Sequence, residues 1–480
     1  MRKYYLLAVL MSSALGALPT GEQVASGEAL VARSVDACQI TQVTPQATIH
    51  WDSFSIAAQE AVRFIQPSSN SVVVNRVMGT DLSHIAGSMS GNGHIFLINP
   101  NGVIFAPGSQ VNAAGFVAST LSMLDSQEGS YSFQGVGGTV LNQGLIQANG
   151  SIALIGGRVI NEGRLEVSKG VVSLAAGSEV SLALNERGSL FATVKQESLQ
   201  ALVDNQGYIQ APGGTVILSA LSSSTLLETV VNNSGVVAAK SLSYEEGRII
   251  LRGGKSGIVE NKGTLDVSGE NKGGNVSIMG QYVGQQKNAQ IVATGASQGG
   301  QVTLGIDQKE LAKRTYIAKE SLIDASSAKG DAGSIIIWSS DNTIFHGTLL
   351  AEAPEGKGGF IETSSQSGFQ ILGNISTFGK VIGTWSLDPT TLQITQAPPP
   401  LSTGNFSGGA PHVWTDDTNA SSTLDCSDIN IQLTNNNVVL DTGSGSDTGI
   451  AQITIPATTP GIVLEIPAGH YLTLSAHNNT

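Results

Sequence analysis

Apolar and polar residues alternate along most of the chain. LDVSG from Leu265, IVATG from Ile291 and VTLGI from Val302 place apolar side chains at every second position, as strands buried on one face require. The spacing of three and four that marks an amphipathic helix is absent from these runs. The pattern also recurs. Asn-x-Gly precedes an alternating run at Asn142-Gln143-Gly144, Asn161-Glu162-Gly163, Asn205-Gln206-Gly207, Asn233-Ser234-Gly235 and Asn261-Lys262-Gly263, at separations of 19, 44, 28 and 28 residues. The 44-residue gap fits an intervening unit whose signal has faded. A Gly pair or near-pair followed by alternation then takes over: GGTVILSA from Gly213, GGNVSIMG from Gly273, GGQVTLGI from Gly299, AGSIIIWS from Ala332 and GGFIETSS from Gly358.

Units of this length mark solenoids, propellers or arrays. Each is too small to bury its own apolar face, so stacked coils must share one interior and pair their backbones at ~4.8 Å. Asn and Gly between strands tolerate positive φ and allow sharp corners. A propeller blade usually needs a longer unit with its own signature. The expected fold is therefore all-β, a right-handed parallel β-helix with short excursions, the hand following from the crossover preference of parallel strands. Residues 191–203 and 307–320 carry charges at helix-compatible spacing and read as short helices or excursions. Residues 396–411, QAPPPLSTGNFSGGAP, read as a Pro/Gly-rich loop or linker. Strand patterning resumes in INIQLTNNNVVLDT and IVLEIPAGHYLTLSA, so 412–480 reads as the start of a further repeat region. The chain stops at Thr480 with no polar cap, as a fragment or truncated product would.

Composition narrows the function. Charged residues are 13% and aromatics 5%, while Gly numbers 58, so Ser, Thr, Asn, Gln and Gly supply the wet surface. The formal charge is −13, with no Lys/Arg cluster, which disfavours nucleic acid and anionic membrane surfaces. Met1-Arg2-Lys3 followed by an apolar run from Tyr4 through Ala14 reads as a signal peptide over 1–17. Its removal leaves 22 basic against 37 acidic residues, a charge of −15. No later segment is long and apolar enough to span a bilayer. Cys38 and Cys426 cannot form a disulfide scaffold or a closed zinc site, and the linear solenoid keeps them too far apart to bond.

Catalytic signatures are missing. Gly254-Lys255-Ser256 resembles the end of a phosphate loop, but the position of the loop's first glycine is Ile249. The seven histidines are scattered, with no His-Glu-x-x-His. Gly443 to Asp447 is a lone turn-like GSGSD, and calcium-binding repeats need stacked copies. Lys329-Gly330-Asp331 reads as a turn. Glu245-Glu246 and Asp416-Asp417 are adjacent, so alternate strand faces would point them apart, whereas acid/base work needs convergent groups. The chain is expected not to be an enzyme and to carry no cofactor or metal.

The most specific segment is 46–121. It contains IHWDSFSIAAQEAVRFIQPSSNSVVVNRVMG from Ile49 and SGNGHIFLINPNGVIFAPGSQVNAAGFVAST from Ser90. Trp51, Phe54 and Ile56 begin an alternating face that breaks at a turn over Ala57–Glu60. His94 to Ile98 is a strand that ends at Asn99-Pro100-Asn101-Gly102. In that turn Asn99 can accept from the backbone, Pro100 presets φ, and Gly102 takes a position awkward for other residues. These stretches, with LPTGEQVASGEA upstream and ALVDNQGYIQAPGGTVILSA and VVNNSGVVAA downstream, resemble the secretion domain of two-partner secretion exoproteins, the filamentous-haemagglutinin family. GTWSLDPTTLQI, Gly383 to Ile394, resembles the Trp-x-Leu-Asp-Pro segment of the same exoproteins. The Asn-Pro-Asn-Leu motif of some members is absent.

The resemblance implies a secretion domain over 18–250, continued by β-helix repeats over 251–395. It implies export through the periplasm of a Gram-negative-type bacterium, recognition by an outer-membrane barrel transporter, and a β-helix that forms outside the cell. It assigns recognition to Asn99, Pro100, Asn101 and Gly102, with Asn75, Arg76, Gln66 and Trp51 beside them. Beyond export it implies an adhesin-like role toward host-cell or neighbouring-cell receptors or glycans. Two alternatives stay open: the N-terminal part of a cytolysin or contact-dependent inhibition toxin, and a β-helical polysaccharide-active enzyme.

Overall fold

The computed structural model describes residues 18–124, 129–184, 189–223, 229–308 and 310–389, and beyond them 391–395, 406–407, 413–414, 423–442, 452–454 and 464–476. The signal peptide, Gly443–Asp447, Asp416-Asp417 and nearly all of the expected linker lie outside the described residues.

The chain winds into a parallel β-helix with three faces. One face stacks strands from Gln46–Trp51 through Val72–Val77, His94–Ile98 and on to Phe360–Thr363 and Thr384–Leu387. A second runs from Ala37–Gln42 and Ala61–Ile65 to Asn374–Ser376. The long strands Gln110–Ser119 and Leu145–Gly156 cross from one of these faces to the other. The third face holds 11 strands, from Ser83–Ile85 to Gly368–Ile371. Alternation in sequence becomes columns in space. Ile146, Leu165, Ile209, Val237, Leu265 and Ile291 follow one another in register down the second face, all fully buried. Each contributes on the order of 1.5–3 kcal/mol by leaving water.

Asn-x-Gly builds one corner of every coil in which it occurs. Asn142, Asn161, Asn205, Asn233 and Asn261 are wholly buried and form a ladder of side-chain amides. Each Nδ2 donates to the Oδ1 of the next, at 2.8, 2.7, 2.7 and 2.8 Å, and Asn261 Nδ2 ends the series on Gln285 Oε1 at 2.9 Å. An amide fits because it carries donors and an acceptor in one group. The glycines serve a different purpose from the one expected. None of Gly144, Gly163, Gly207, Gly235 and Gly263 has positive φ. A Cβ on Gly163, Gly207, Gly235 or Gly263 would instead lie 2.0–2.2 Å from the carbonyl oxygen of the preceding ladder glycine. Close approach of backbones selects glycine here.

The 44-residue spacing conceals no faded coil. Asn161 pairs in register with Asn205, and Val172 with Val216. The extra residues leave the stack as the antiparallel hairpin Glu179–Leu184 and Leu190–Gln196. With Ser122–Met123 and Ser130–Gln134 this hairpin forms a four-stranded sheet outside the helix. It encloses a second core that includes Phe96, Ile98, Val117, Phe133, Leu182 and Leu190.

Neither charged stretch is helical. Leu190, Ala192 and Val194 face the second core, which makes 190–196 a strand with its charges at the exposed end. In 307–320 a short antiparallel pair, Ile306–Asp307 with Glu310–Leu311, forms an excursion, and Arg314–Ile317 rejoins the third face with Thr315 and Ile317 inside. The helix that does form is Cys426–Leu433, where the alternation in INIQL suggested a strand. Ile429 and Leu433, one helical turn apart, are both fully buried. Beyond the expected linker the same stack goes on, since Asn437–Thr442 pairs in register with Thr384–Leu387 and then with Leu472–Ala476.

The first coil is covered by reversed strands. Gln23–Ser26 lies antiparallel to Gln46–Trp51, and Ala29–Arg33 antiparallel to Ala37–Gln42. Arg33 grips Glu22 with both guanidinium nitrogens, holding that carboxyl below its usual range. Cys38 is a free, buried thiol in this coil, and burial pushes its pKa up.

The ladder predicts a graded response. Asn205→Ala orphans Asn161 Nδ2 and Asn233 Oδ1 in a dry interior and should cost roughly 2–4 kcal/mol. Gln285→Leu orphans one donor and removes Gln285 Nε2, which has no hydrogen-bond partner, so it should cost less than half as much. Chemical denaturation of both variants measures the difference, and equal losses would show that the ladder does not act through its amide pairs.

Candidate functional site

The Asn99–Gly102 turn joins the first face to the third. Gly102 N donates to Asn99 O at 3.1 Å, closing a four-residue turn, and Asn101 N donates to Asn99 Oδ1 at 3.0 Å. Gly102 has φ of +134°, a conformation that β-branched residues avoid. Each expected feature of the tetrapeptide as a turn is therefore present. The tie to the previous coil was not legible in the sequence. Asn99 is fully buried, and its Nδ2 donates to Asp81 O at 2.9 Å and Ser83 Oγ at 3.0 Å. Asn101 Nδ2 donates to Gly79 O at 2.9 Å. Ser83 N donates to Gly102 O at 3.0 Å.

The other expected residues divide by exposure. Trp51 is fully buried against Phe54, with ring centroids 5.4 Å apart, and its Nε1 donates to Asn75 Oδ1 at 3.0 Å. Asn75 Nδ2 in turn donates to Phe96 O at 3.2 Å. Gln66 is a corner clamp: its Nε2 donates to Gln42 Oε1 and Ser71 O, and its Oε1 accepts from Gly93 N at 2.9 Å. These three are buried and bond neighbouring coils to one another. Arg76 is half-buried and sits in register beside Ile98, immediately before the turn. Its Nε has no hydrogen-bond partner among the described residues. Pro100 and Asn101 are exposed. Of the expected residues, then, Pro100 and Asn101 are exposed and Arg76 is half-buried, while Asn99 and Gly102 are buried within the turn.

The antiparallel sheet beside this turn was not expected. Two signals could have found it. Val171–Ala176 is apolar at nearly every position, as a strand buried on both faces must be. EVSLAL and SLFATV alternate on either side of Asn-Glu-Arg-Gly, a hairpin pattern.

Residues 15–267 match the family model described as the TPS secretion domain. The chain belongs to the two-partner secretion exoproteins. The exoprotein is 34% identical over 271 residues to a heme/hemopexin-binding protein of Haemophilus influenzae strain Rd, a match covering 53% of this chain and 29% of that protein. A second heme/hemopexin-binding protein from Haemophilus influenzae is 33% identical over 245 residues, covering 45% and 26%. The match thus spans less than a third of the length of these curated relatives. Among solved structures, the HMW1 secretion domain from Haemophilus influenzae superposes with a TM-score of 0.64 at 29% identity, covering 77% of the exoprotein and 100% of that domain. Proteins with this domain are secreted across the outer membrane of Gram-negative bacteria, and the domain implies an outer-membrane transporter as partner. Among the described residues no helix is long and apolar enough to cross a membrane.

One histidine, at the start of the strand that leads to the turn, is shifted by burial. His94 carries its carbonyl to Gln66 Nε2, and its Nδ1 is buried without a partner. Burial pushes its pKa below the ordinary 6.5. The unfolded chain therefore takes up this proton first, so the stability present above pH 6.5 is lost as pH falls toward the folded-state value. His346 is shifted the same way by burial and adds to the slope. The thermal midpoint of the exoprotein should fall on acidification through this window, and His94→Gln should flatten part of the fall. An unchanged profile in the variant would show that His94 is protonated without penalty in the fold.

Proposed function

We propose that the exoprotein is the cargo of a two-partner secretion pair, and that Arg76, Pro100 and Asn101 form a surface read by its transporter. Asn99, Gly102, Trp51, Asn75 and Gln66 hold that surface in place. The observation carrying this reading is the division at the turn, where Asn99 is buried with four side-chain hydrogen bonds while Pro100 and Asn101 are exposed. Outside the cell the exoprotein acts by binding, as an adhesin-like protein, without catalysis or a cofactor. The low charge and the long uninterrupted stack suit an extended binding surface.

The test separates reading from folding. Pro100→Ala, Asn101→Ala and Arg76→Ala should lower the ratio of extracellular to periplasmic protein severalfold while thermal midpoints stay within a few degrees of the parent. Asn99→Ala should lower both, since it strips four hydrogen bonds from a buried corner at about 1 kcal/mol each. Export of the three surface variants at the parental ratio would refute the recognition surface.

A second reading is capture of haem or hemopexin, favoured by what the two Haemophilus influenzae relatives are named for. Retention of hemopexin by the immobilised, secreted exoprotein would support it, and retention of cells without hemopexin would favour adhesion.

A further inference from the structure

We propose that a groove along coils 272–384 of the exoprotein binds a linear, uncharged polysaccharide laid parallel to the solenoid axis. The inference rests on the proposal that the exoprotein acts by binding outside the cell, and it gives that role a place and a ligand class.

The groove has a volume of about 490 Å³ and is built coil by coil. One bank is a column on the first face in which Asn275, Gln301, Ser334, Phe360 and Thr384 follow one another in register. The opposite bank is a second column: Lys272 pairs with Gln298 and Gln298 with Asp331, and Lys357 N donates to Asp331 Oδ1 at 2.9 Å. Glycine pairs form the floor between them. A Cβ on Gly299, Gly333 or Gly359 would lie 1.8–2.1 Å from a carbonyl oxygen of a neighbouring strand or coil, so the floor stays bare backbone and the groove stays open.

The lining decides the ligand. The side-chain amides of Asn275, Gln298 and Gln301 make no hydrogen bond to another described residue, which leaves donors and acceptors free on both banks. Gln298, Gln301 and Lys357 are exposed. Amides present a donor and an acceptor side by side, as a pair of neighbouring sugar hydroxyls does. Phe360 is 39% exposed, an apolar ring set among polar neighbours. Such a ring gains by covering the C–H face of a pyranose, where apolar contact and hydroxyl bonding occur together.

Charge and spacing restrict the class further. Lys272 and Lys357 are balanced by Glu246 and Asp331, so the groove has no net sign to attract a polyanion, and the whole chain carries −13. Equivalent side chains recur at the ~4.8 Å separation of paired strands. Extended pyranose chains advance by a comparable step, which lets successive rings meet successive coils. An extended peptide would present its side chains at a shorter step and would want unpaired strand edges, whereas the strands of this face are paired on both sides.

The experiment uses the secreted, full chain. Soluble linear β-glucan and xylan serve as uncharged probes, with heparin as a polyanion, each followed by retardation in affinity gels and by titration calorimetry. Binding of an uncharged chain, weakened at least tenfold by Phe360→Ala and severalfold by Gln301→Ala with unchanged thermal midpoints, is the expected result. Loss of affinity in both variants from opposite sides of Ser334 keeps the test independent of one misfolded mutant. Failure of every uncharged chain to bind, binding of heparin alone, or affinities unmoved by both substitutions would overturn the groove. Adherence of the exoprotein to cells, assayed in parallel, reports on the adhesive role separately: adherence without polysaccharide binding refutes the groove alone, and polysaccharide binding without adherence supports the groove and refutes the adhesive role.

Discussion

The spacing between successive backbones governs this molecule. Parallel pairing sets neighbouring coils at ~4.8 Å, and at the Asn-x-Gly corner this leaves no volume for a Cβ beside the carbonyl of the coil before. The same separation is what one side-chain amide can bridge. Asn161 accepts from Asn142 and donates to Asn205, so an asparagine inside the ladder relies on an amide in the coils on both sides. Between its two ends the column is therefore amide in every coil, and apolar residues take over only beyond them. Where it begins, Asn142 stacks on Phe105, and where it ends, Gln285 meets Ile317. A buried amide without a neighbour would cost about 1–3 kcal/mol, which is why the ladder has definite ends rather than scattered members.

Strict spacing along the axis coexists with loose length around it. Coils of 19 and 44 residues bring the same asparagines into line, because surplus residues leave at a corner and do not disturb the strands. One surplus segment has become a sheet with its own core, and it lies against the strand that runs into the Asn99–Gly102 turn. The Asn99–Gly102 turn thus stands beside two packed layers, while the groove over coils 272–384 stands on one. A rigid module and an open face follow from the same winding rule.

The sequence disclosed what depends on period two and on local turn chemistry. The alternating runs gave the strands, the recurring units gave the stack, and Asn99-Pro100-Asn101-Gly102 gave a turn that is present in detail. It misled wherever contact between distant coils decides the outcome. Gly207 looked like a residue chosen for its φ, and its carbonyl neighbour 44 residues earlier is invisible in one dimension. The charges of Lys195 and Glu197 left a short helix or an excursion open, and the excursion is what forms, since Leu190, Ala192 and Val194 alternate for a core that only the folded hairpin creates. Trp51, Asn75 and Gln66 are buried and bonded to neighbouring coils, Gln66 at the far end of the strand that leads to the turn, and burial of this kind needs coordinates.

The reversed strands over the first coil have a further consequence. A stack of parallel strands is a template at both ends, open to any strand of similar register. Here the end nearest the amino terminus is closed by Gln23–Ser26 and Ala29–Arg33, pinned by Arg33 and Glu22. Winding can extend only toward the carboxyl end, so assembly has a direction. A chain that reaches open water amino end first completes its seed before the rest arrives, and every coil added afterwards makes retreat more costly. The cap leaves one end of the stack on which another coil or another chain could pair.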